Sequence, residues 1–166
     1  MKSEQLRAVQ APLKERYRQD PGAALVTLHA EGELGGDGVS CSVETGRALV
    51  EAGPHPATGG DSALACSGDM LLQALAACAG VTLRSVAVNR GLEVSSRVVA
   101  EGDLDFRGTL GVDREAPVGF TAIRVRFELD SPASEEELEK LVQATERYCV
   151  VYQTLAGGAR VEVTRT

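Results

Sequence analysis

Two cysteines in contrasting surroundings are the residues best suited to chemistry in this chain. Cys78 lies deep in an apolar segment that begins near Ser67, and Cys149 follows a charged segment that ends in Tyr148. A buried cysteine beside small residues is usually inert, whereas two thiols that meet in space form a candidate redox couple. From the residues alone, both a core role and a reactive role remain open for Cys78.

The other cysteines and the histidines do not form a metal-binding pattern. No C-x-x-C occurs and no histidine falls at ligand spacing, so we expect neither a zinc site nor another cofactor. Cys66 directly precedes the expected helix start, where a thiolate would benefit from the helix dipole, but a plain loop cysteine is the simpler interpretation. Cys41 is most simply a strand residue. His55, between two prolines, either lines a pocket or belongs to a rigid loop, and we favour the loop.

Length, charge and composition restrict the possible partners. The chain has 166 residues, of which 43% are hydrophobic and 4% aromatic, and its net charge is −7. The length indicates one domain with a real core, and the acidic balance argues against nucleic acid or an anionic membrane as a partner. The polar N-terminus lacks the apolar core of a signal peptide, and the apolar stretch 70–83 is short for a membrane span. We therefore expect a soluble cytoplasmic protein with reduced thiols.

The order of the predicted elements indicates an α+β fold, with sheets covering two helices. The segment that carries Cys78 is apolar almost all round, which predicts a central, buried helix from Ser67 to about Asn89 with Gly91 at its end. Other helices are predicted over residues 3–20, interrupted at Pro12, and from Ser134 to about Cys149, where a capping box begins it. Strands are predicted over residues 23–33, 39–44, 47–51, 93–100, 103–109, 121–129 and 159–164.

Two segments of the chain resemble the OsmC/Ohr family of organic hydroperoxide reductases. The run L-L-x-A-L-A-A-C-A-G-V-T-L at residues 71–83 resembles the first-cysteine helix of that family. The segment 148–155 resembles the second-cysteine segment, which a final strand follows, and the glycine-rich stretch 58–61 also fits. The likeness covers residues 23–166, which we predict to form an OsmC-like domain, with residues 1–22 as a helical extension.

The resemblance implies two antiparallel sheets around central helices in an intertwined homodimer, with two active sites at the subunit interface. It implies a peroxidatic role for Cys78 and a resolving role for Cys149. The hydroperoxide reductase branch adds an arginine, for which Arg47 is the only candidate between the extension and Cys78. The branch also adds a glutamate, where this chain has Gly68 followed by Asp69. The family often has proline after the second cysteine, where this chain has Val150.

The chemistry that the resemblance implies requires a thiolate at Cys78. Because Cys78 lies about three turns into its helix, the dipole of that helix helps little, and we expect a nearby cation to stabilise the thiolate. Arg47 can supply this charge, and Asp69 can orient it through a bidentate pair. Attack on a peroxide gives a sulfenic acid, which Cys149 then converts into a disulfide. The alternatives are a solvated strand position for Arg47 and an ordinary first-turn helix acid for Asp69.

Two functions of different class are compatible with these residues and with the resemblance. The first is a thiol-dependent peroxidase that reduces organic hydroperoxides and is recycled by a dithiol reductant such as a lipoylated protein. The second is an OsmC-like protein without efficient peroxidase activity, which binds a small hydrophobic or electrophilic ligand at the dimer interface. The absence of glutamate at position 68 is the feature that separates them.

Overall fold

The structure, a computed structural model, describes residues 3–34, 41–43, 52–60, 62, 65–158 and 160–165. The helices in these ranges are α1 (Ser3–Gln19), α2 (Ser67–Arg90), α3 (Phe106–Thr109), α4 (Glu135–Tyr148) and α5 (Val150–Gly157). The strands are β1 (Leu25–Leu34), β2 (Cys41–Val43), β3 (Ala52–Gly53), β4 (Ala65–Cys66), β5 (Ser95–Asp105) and β6 (Phe120–Asp130).

The strands form two sheets beside the helices. The larger sheet has the order β2-β1-β5-β6, and β1 pairs with β2 in antiparallel orientation. In the smaller sheet β3 pairs with β4 in parallel orientation. The α+β fold class predicted from the sequence is confirmed, although this small second sheet is parallel where an antiparallel one was expected.

The chain divides into two compact units. The first comprises Met1–Ala30, Glu44–Gln73 and Val99–Val125, and the second comprises Glu31–Val43, Ala74–Val98 and Arg126–Thr166. In the first unit the α1 residue Tyr17 is only 2% exposed, and its hydroxyl donates to the carbonyl of Ala57 at 2.7 Å. The core of the second unit is aliphatic and consists of Leu83, Ala87, Val94 and Leu141, with Val86, Leu92, Phe127, Leu129 and Leu138 packed against it.

Helix α2 ends as the sequence predicts. Gly91 has a φ of +67°, its N–H donates to the carbonyl of Val88, and the N–H of Leu92 donates to the carbonyl of Ala87. These two bonds form a Schellman motif, for which glycine is suited because it enters the left-handed region without a steric penalty. By length and composition α2 could also cross a membrane. Its most buried side chains are at most 1% exposed within the protein, as in a core helix; they are Leu72, Leu75, Ala76, Leu83 and Ala87.

The two strands predicted on either side of Gly102 form one continuous strand, β5, and the glycine explains why. The prediction placed a break between residues 100 and 103, but β5 runs without interruption to Asp105. A Cβ atom at Gly102 would lie 2.5 Å from ring carbons of Phe120, so the glycine allows the aromatic ring to pack directly on the strand. The strand ends at Asp105, whose carboxylate accepts from the N–H of Arg107 and caps α3. Residues 106–109 are therefore helical, not extended.

Three further differences concern other parts of the chain. Helix α1 continues through Pro12, where an interruption was expected. Residues 160–165 form no strand in the described chain, although Val161 and Val163 alternate with polar residues, because alternation does not itself provide a neighbouring strand. The strand predicted over residues 47–51 lies outside the described residues.

Candidate active site

Cys78 lies in the middle of α2 and is half-buried. The residues around it in sequence are small, and Ala76 and Ala79 are almost fully buried. Small side chains on this helix leave room for another backbone to approach the thiol. The Cys78 sulfur therefore remains reachable although its helix belongs to the core.

Cys149 lies at the junction between α4 and α5 and is 1% exposed. It ends α4 through its N–H, which donates to the carbonyl of Thr145 at 2.8 Å. It also begins α5, because its sulfur accepts from the N–H of Tyr152 at 3.5 Å. One residue thus serves as the C-cap of one helix and the N-cap of the next, which fixes the direction of its side chain.

The structure brings the two thiols together within the second unit. Cys78 and Cys149 lie close enough for each thiol to affect the pKa of the other, and both are free thiols. The N–H groups of Val151 and Val150 and the hydroxyl of Thr82 also lower the pKa of Cys78. Two of these donors are the first backbone N–H groups of α5, which have no partner inside their own helix and carry the positive end of its dipole.

These contacts give the two thiols opposite acidities. Burial raises the pKa of Cys78, but the hydrogen bonds from Val151, Cys149, Val150 and Thr82 outweigh it and hold the pKa below the usual value of a thiol. Burial, together with the neighbouring Cys78, raises the pKa of Cys149 to about 11, because two adjacent thiolates repel each other. The arrangement favours a thiolate at Cys78 and a protonated thiol at Cys149.

Asp69 occupies the first turn of α2, nine residues before Cys78, which corresponds to about 14 Å along a helix. Burial raises the pKa of Asp69 above the usual value of a carboxyl group. At that distance Asp69 does not contact the Cys78 thiol, and the structure does not bring these two predicted site residues together. Arg47 lies outside the described residues.

His55 belongs to a rigid loop, the interpretation that the sequence favours. Its Nδ1 accepts from the N–H of Ala57 at 3.0 Å, and its ring stacks on Phe106 with the ring centroids 5.1 Å apart. A Cβ atom at Gly60 would lie 1.8 Å from the carbonyl oxygen of Pro54, so this loop requires glycine for its close backbone contact. Cys66 pairs with Gly53 in the small sheet and is a half-buried free thiol.

Comparison with known proteins places this chain in a family. The family model for OsmC-like proteins matches residues 59–164, which include Cys78 and Cys149. The chain belongs to the OsmC-like family. A solved OsmC-like hydroperoxide resistance protein from Jannaschia sp. CCS1 has the same fold, with a TM-score of 0.52 and 17% sequence identity over 86% of this chain and 92% of that one. No curated protein sequence matches the chain.

Sequence reasoning missed the groups that contact the Cys78 sulfur in this OsmC-like protein. The sequence predicts a cation from the N-terminal half, Arg47, which lies outside the described residues, whereas within the described residues the groups that lower the pKa of Cys78 include the backbone of Val150 and Val151 and the side chain of Thr82. One signal was present in the sequence. Proline has no N–H, so valine at position 150 provides a donor that proline would lack. Thr82, four residues after Cys78, is also on the correct helical face.

The donor set of the site does not resemble a metal centre. Among the described residues, no group of three or more histidine, cysteine, aspartate or glutamate side chains could hold a metal ion. The atoms around the Cys78 sulfur are hydrogen-bond donors, which stabilise negative charge on sulfur without coordinating a cation.

Proposed function

We propose that this OsmC-like protein is a thiol-dependent peroxidase that reduces organic hydroperoxides, with Cys78 as the peroxidatic and Cys149 as the resolving cysteine. The observation that carries the proposal is the asymmetric thiol pair. One sulfur is activated by the N–H groups of a helix start, and its partner is kept protonated beside it. Membership of the OsmC-like family and the fold shared with a hydroperoxide resistance protein support the same reaction class.

The first step is attack of the Cys78 thiolate on the terminal oxygen of the hydroperoxide. The sulfur forms a bond to that oxygen, the O–O bond breaks, and the alkoxide leaves as the alcohol after taking one proton. Cys149 is suited to deliver this proton because its pKa of about 11 keeps it protonated at neutral pH. The products are a sulfenic acid at Cys78 and one molecule of alcohol.

The second step uses the proximity of the two sulfur atoms. Cys149, now deprotonated, attacks the Cys78 sulfur, a disulfide forms, and the hydroxyl of the sulfenic acid leaves as water after taking a proton. A dithiol reductant, for which we propose a lipoylated protein, then reduces the disulfide and is itself oxidised to a disulfide. Each cycle consumes one hydroperoxide and one dithiol and releases one alcohol and one water.

We further propose that the protein acts as a homodimer in the cytoplasm. Support for the dimer comes from residues 160–165, in which Val161 and Val163 are 83% and 92% exposed and alternate as strand residues do. A second copy of the chain can pair with this segment and cover both valines. Sedimentation should give about twice the monomer mass, and a stable folded monomer at micromolar concentration would refute the dimer.

The reaction is tested by counting thiols. One equivalent of cumene hydroperoxide should consume two thiols per chain, and peptide mapping should recover a disulfide between Cys78 and Cys149. Consumption of no thiol at this stoichiometry would favour the second candidate function, an OsmC-like protein that binds a hydrophobic or electrophilic ligand. That candidate is favoured by Gly68 in place of the glutamate of the reductase branch.

A further inference from the structure

Helix α5, which begins directly after Cys149, packs loosely on the rest of the second unit. Val151 and Tyr152 are half-buried, and the remaining residues of the helix are exposed. From the middle of the helix, the Gln153 side chain donates to the carbonyl of Glu146 in α4 at 2.8 Å. Helices shorter than about 12 residues are marginal in water without tertiary packing, and α5 has 8 residues. The contacts at its first turn therefore determine how well it forms.

Both cysteines of the candidate active site act on that first turn. The Cys149 sulfur accepts from the N–H of Tyr152 and is the N-cap of α5. The N–H groups of Val150 and Val151 lower the pKa of Cys78, so the thiolate interacts more favourably with the start of α5 than the neutral thiol does. By thermodynamic linkage, the negative charge on Cys78 stabilises this helix start to the same extent. The dithiol form thus gives α5 both a cap and an anion at its positive end.

A disulfide between the two cysteines removes the anion and redirects the cap. When the sulfur atoms bond, Cys78 carries no charge, and the Cys149 sulfur lies about 2 Å from its partner. The direction of the Cys149 side chain is then set by the bond to Cys78 and not by the N–H of Tyr152. Two electrons and two protons leave the thiol pair in this oxidation, and the hydroperoxide that accepts them becomes one alcohol and one water.

We propose, resting on the peroxidase function above, that α5 is a redox-sensitive lid over Cys149, closed in the dithiol form and released at its first turn when Cys78 and Cys149 form a disulfide. In the dithiol form Cys149 is 1% exposed, so it is shielded from thiols and oxidants in solution. Release of the first turn uncovers the Cys149 sulfur for attack by the thiolate of the dithiol reductant.

The same device explains how the reduced form is restored. Attack on Cys149 forms a mixed disulfide and expels Cys78 as a thiolate, which is the better leaving group because its pKa is the lower of the two. The second thiol of the reductant then releases Cys149 and leaves as a disulfide. With the anion and the cap restored, α5 closes again.

The first test compares the two redox forms of the full-length protein by hydrogen–deuterium exchange and does not depend on peroxidase activity. Diamide, an azo compound that becomes a hydrazine by accepting two electrons and two protons, converts the dithiol into the disulfide. The backbone amides of residues 150–157 should then exchange about fivefold faster, the scale of one charge at a helix start, while those of β6 stay unchanged. Cys78→Ser retains the other three cysteines, and its α5 amides should not respond to diamide.

Each outcome of this test decides for or against the lid. Equal exchange of residues 150–157 in the two forms, with a disulfide between Cys78 and Cys149 verified by peptide mapping, overturns it. Failure of diamide to form this disulfide overturns the lid together with the resolving role of Cys149. Faster exchange on disulfide formation in a protein that reduces no hydroperoxide supports the lid and rejects the peroxidase function, so the two failures are distinguishable.

The second test measures whether release of α5 controls reduction of the disulfide. Gln153→Ala removes the hydrogen bond from α5 to the carbonyl of Glu146 and should speed reduction by dithiothreitol roughly fivefold, the scale of one hydrogen bond. Gln143→Ala removes the same side chain from an exposed position of α4 and should leave the rate at the wild-type value. An unchanged or slower reduction in Gln153→Ala would show that the reductant reaches the disulfide with α5 in place, and would overturn its role as a lid.

Discussion

The polar groups at the start of α2 and those at the junction of α4 with α5 have different roles. At the start of α2, the His55 loop is held by a hydrogen bond to Ala57 and by stacking on Phe106, so its groups mainly stabilise the fold. At the junction, the N–H groups of Val150 and Val151 lower the pKa of a thiol on another helix, Cys78. In the first region the polar groups hold their own loop, whereas in the second the backbone N–H groups lower the pKa of a thiol.

This difference shows how an OsmC-like chain can activate a thiol with backbone groups. A backbone N–H at a helix start is a fixed donor whose orientation requires no side-chain ordering. Cys149 has two roles at this junction. Its side chain caps the start of α5, and its thiol lies beside Cys78. A side-chain cation remains compatible with this arrangement, but the described contacts already lower the pKa of Cys78.

The largest expected effect separates the two cysteines. Cys78→Ser should abolish reduction of tert-butyl and cumene hydroperoxide, because a serine hydroxyl is not ionised at neutral pH. Cys149→Ser should still allow one turnover and leave a sulfenic acid at Cys78 that dimedone traps. Stopped-flow kinetics and mass spectrometry measure both. Turnover at the wild-type rate in Cys78→Ser would reject the peroxidase function.

The next effect tests the backbone donors at the junction. Val150→Pro removes one N–H from the Cys78 sulfur at the first position of α5, where proline fits a helix well, and the Val150 side chain is 70% exposed. We expect a higher pKa for Cys78 and alkylation at pH 7 that is slower by about tenfold, the scale of one hydrogen bond to a charged group. Val150→Ala keeps the N–H and is the matched control. Equal alkylation rates in the proline and alanine variants would remove this donor from the site.

Much of this fold is readable from the sequence because its signals are local. The capping box at Ser134 and Glu137 is formed, with their reciprocal hydrogen bonds at 3.0 and 3.4 Å, and Gly91 ends α2 as predicted. The alternation along β6 also appears as alternating burial. Each of these features depends on residues within a few positions of one another.

The parts that could not be read depend on contacts distant in sequence. Gly102 has the features of a strand break until Phe120 is seen to pack on it. The sequence indicates the approach of Cys149 to Cys78 only through a family resemblance, and it does not indicate the backbone donors beside them. The spacing of residues along α2 predicts that Cys78 and Thr82 share one face of the helix. It does not predict that the start of α5 packs against that face.

A pH profile tests the opposite acidities of the two thiols. With its pKa lowered, Cys78 should be alkylated by iodoacetamide at a pH below that of an ordinary thiol, whereas Cys149 should react appreciably only as the pH approaches about 11. Thr82→Val removes one donor from Cys78 and should shift its profile to higher pH by less than Val150→Pro does, because a neutral hydroxyl lacks the added dipole of a helix start. Thr82→Ser keeps the hydroxyl and should leave the profile in place.

The smallest expected effect lies at the start of α2. Asp69→Asn removes a carboxylate about 14 Å from Cys78 along the helix, beyond the Debye length at physiological salt, so the direct charge effect on the thiol should be slight. Arg47→Ala should slow the reaction of Cys78 more than Asp69→Asn does if Arg47 supplies the additional cation and Asp69 only orients it. Alkylation profiles and stopped-flow rates with an alkyl hydroperoxide compare both variants with wild type.

An Asp69→Asn protein whose rate falls as far as that of Val150→Pro would show that the start of α2 takes part in activating the thiol, and the contrast between the two regions would fail. Unchanged rates in both variants would leave the backbone donors of α5 and Thr82 as the groups that activate Cys78, and would remove Arg47 from the site.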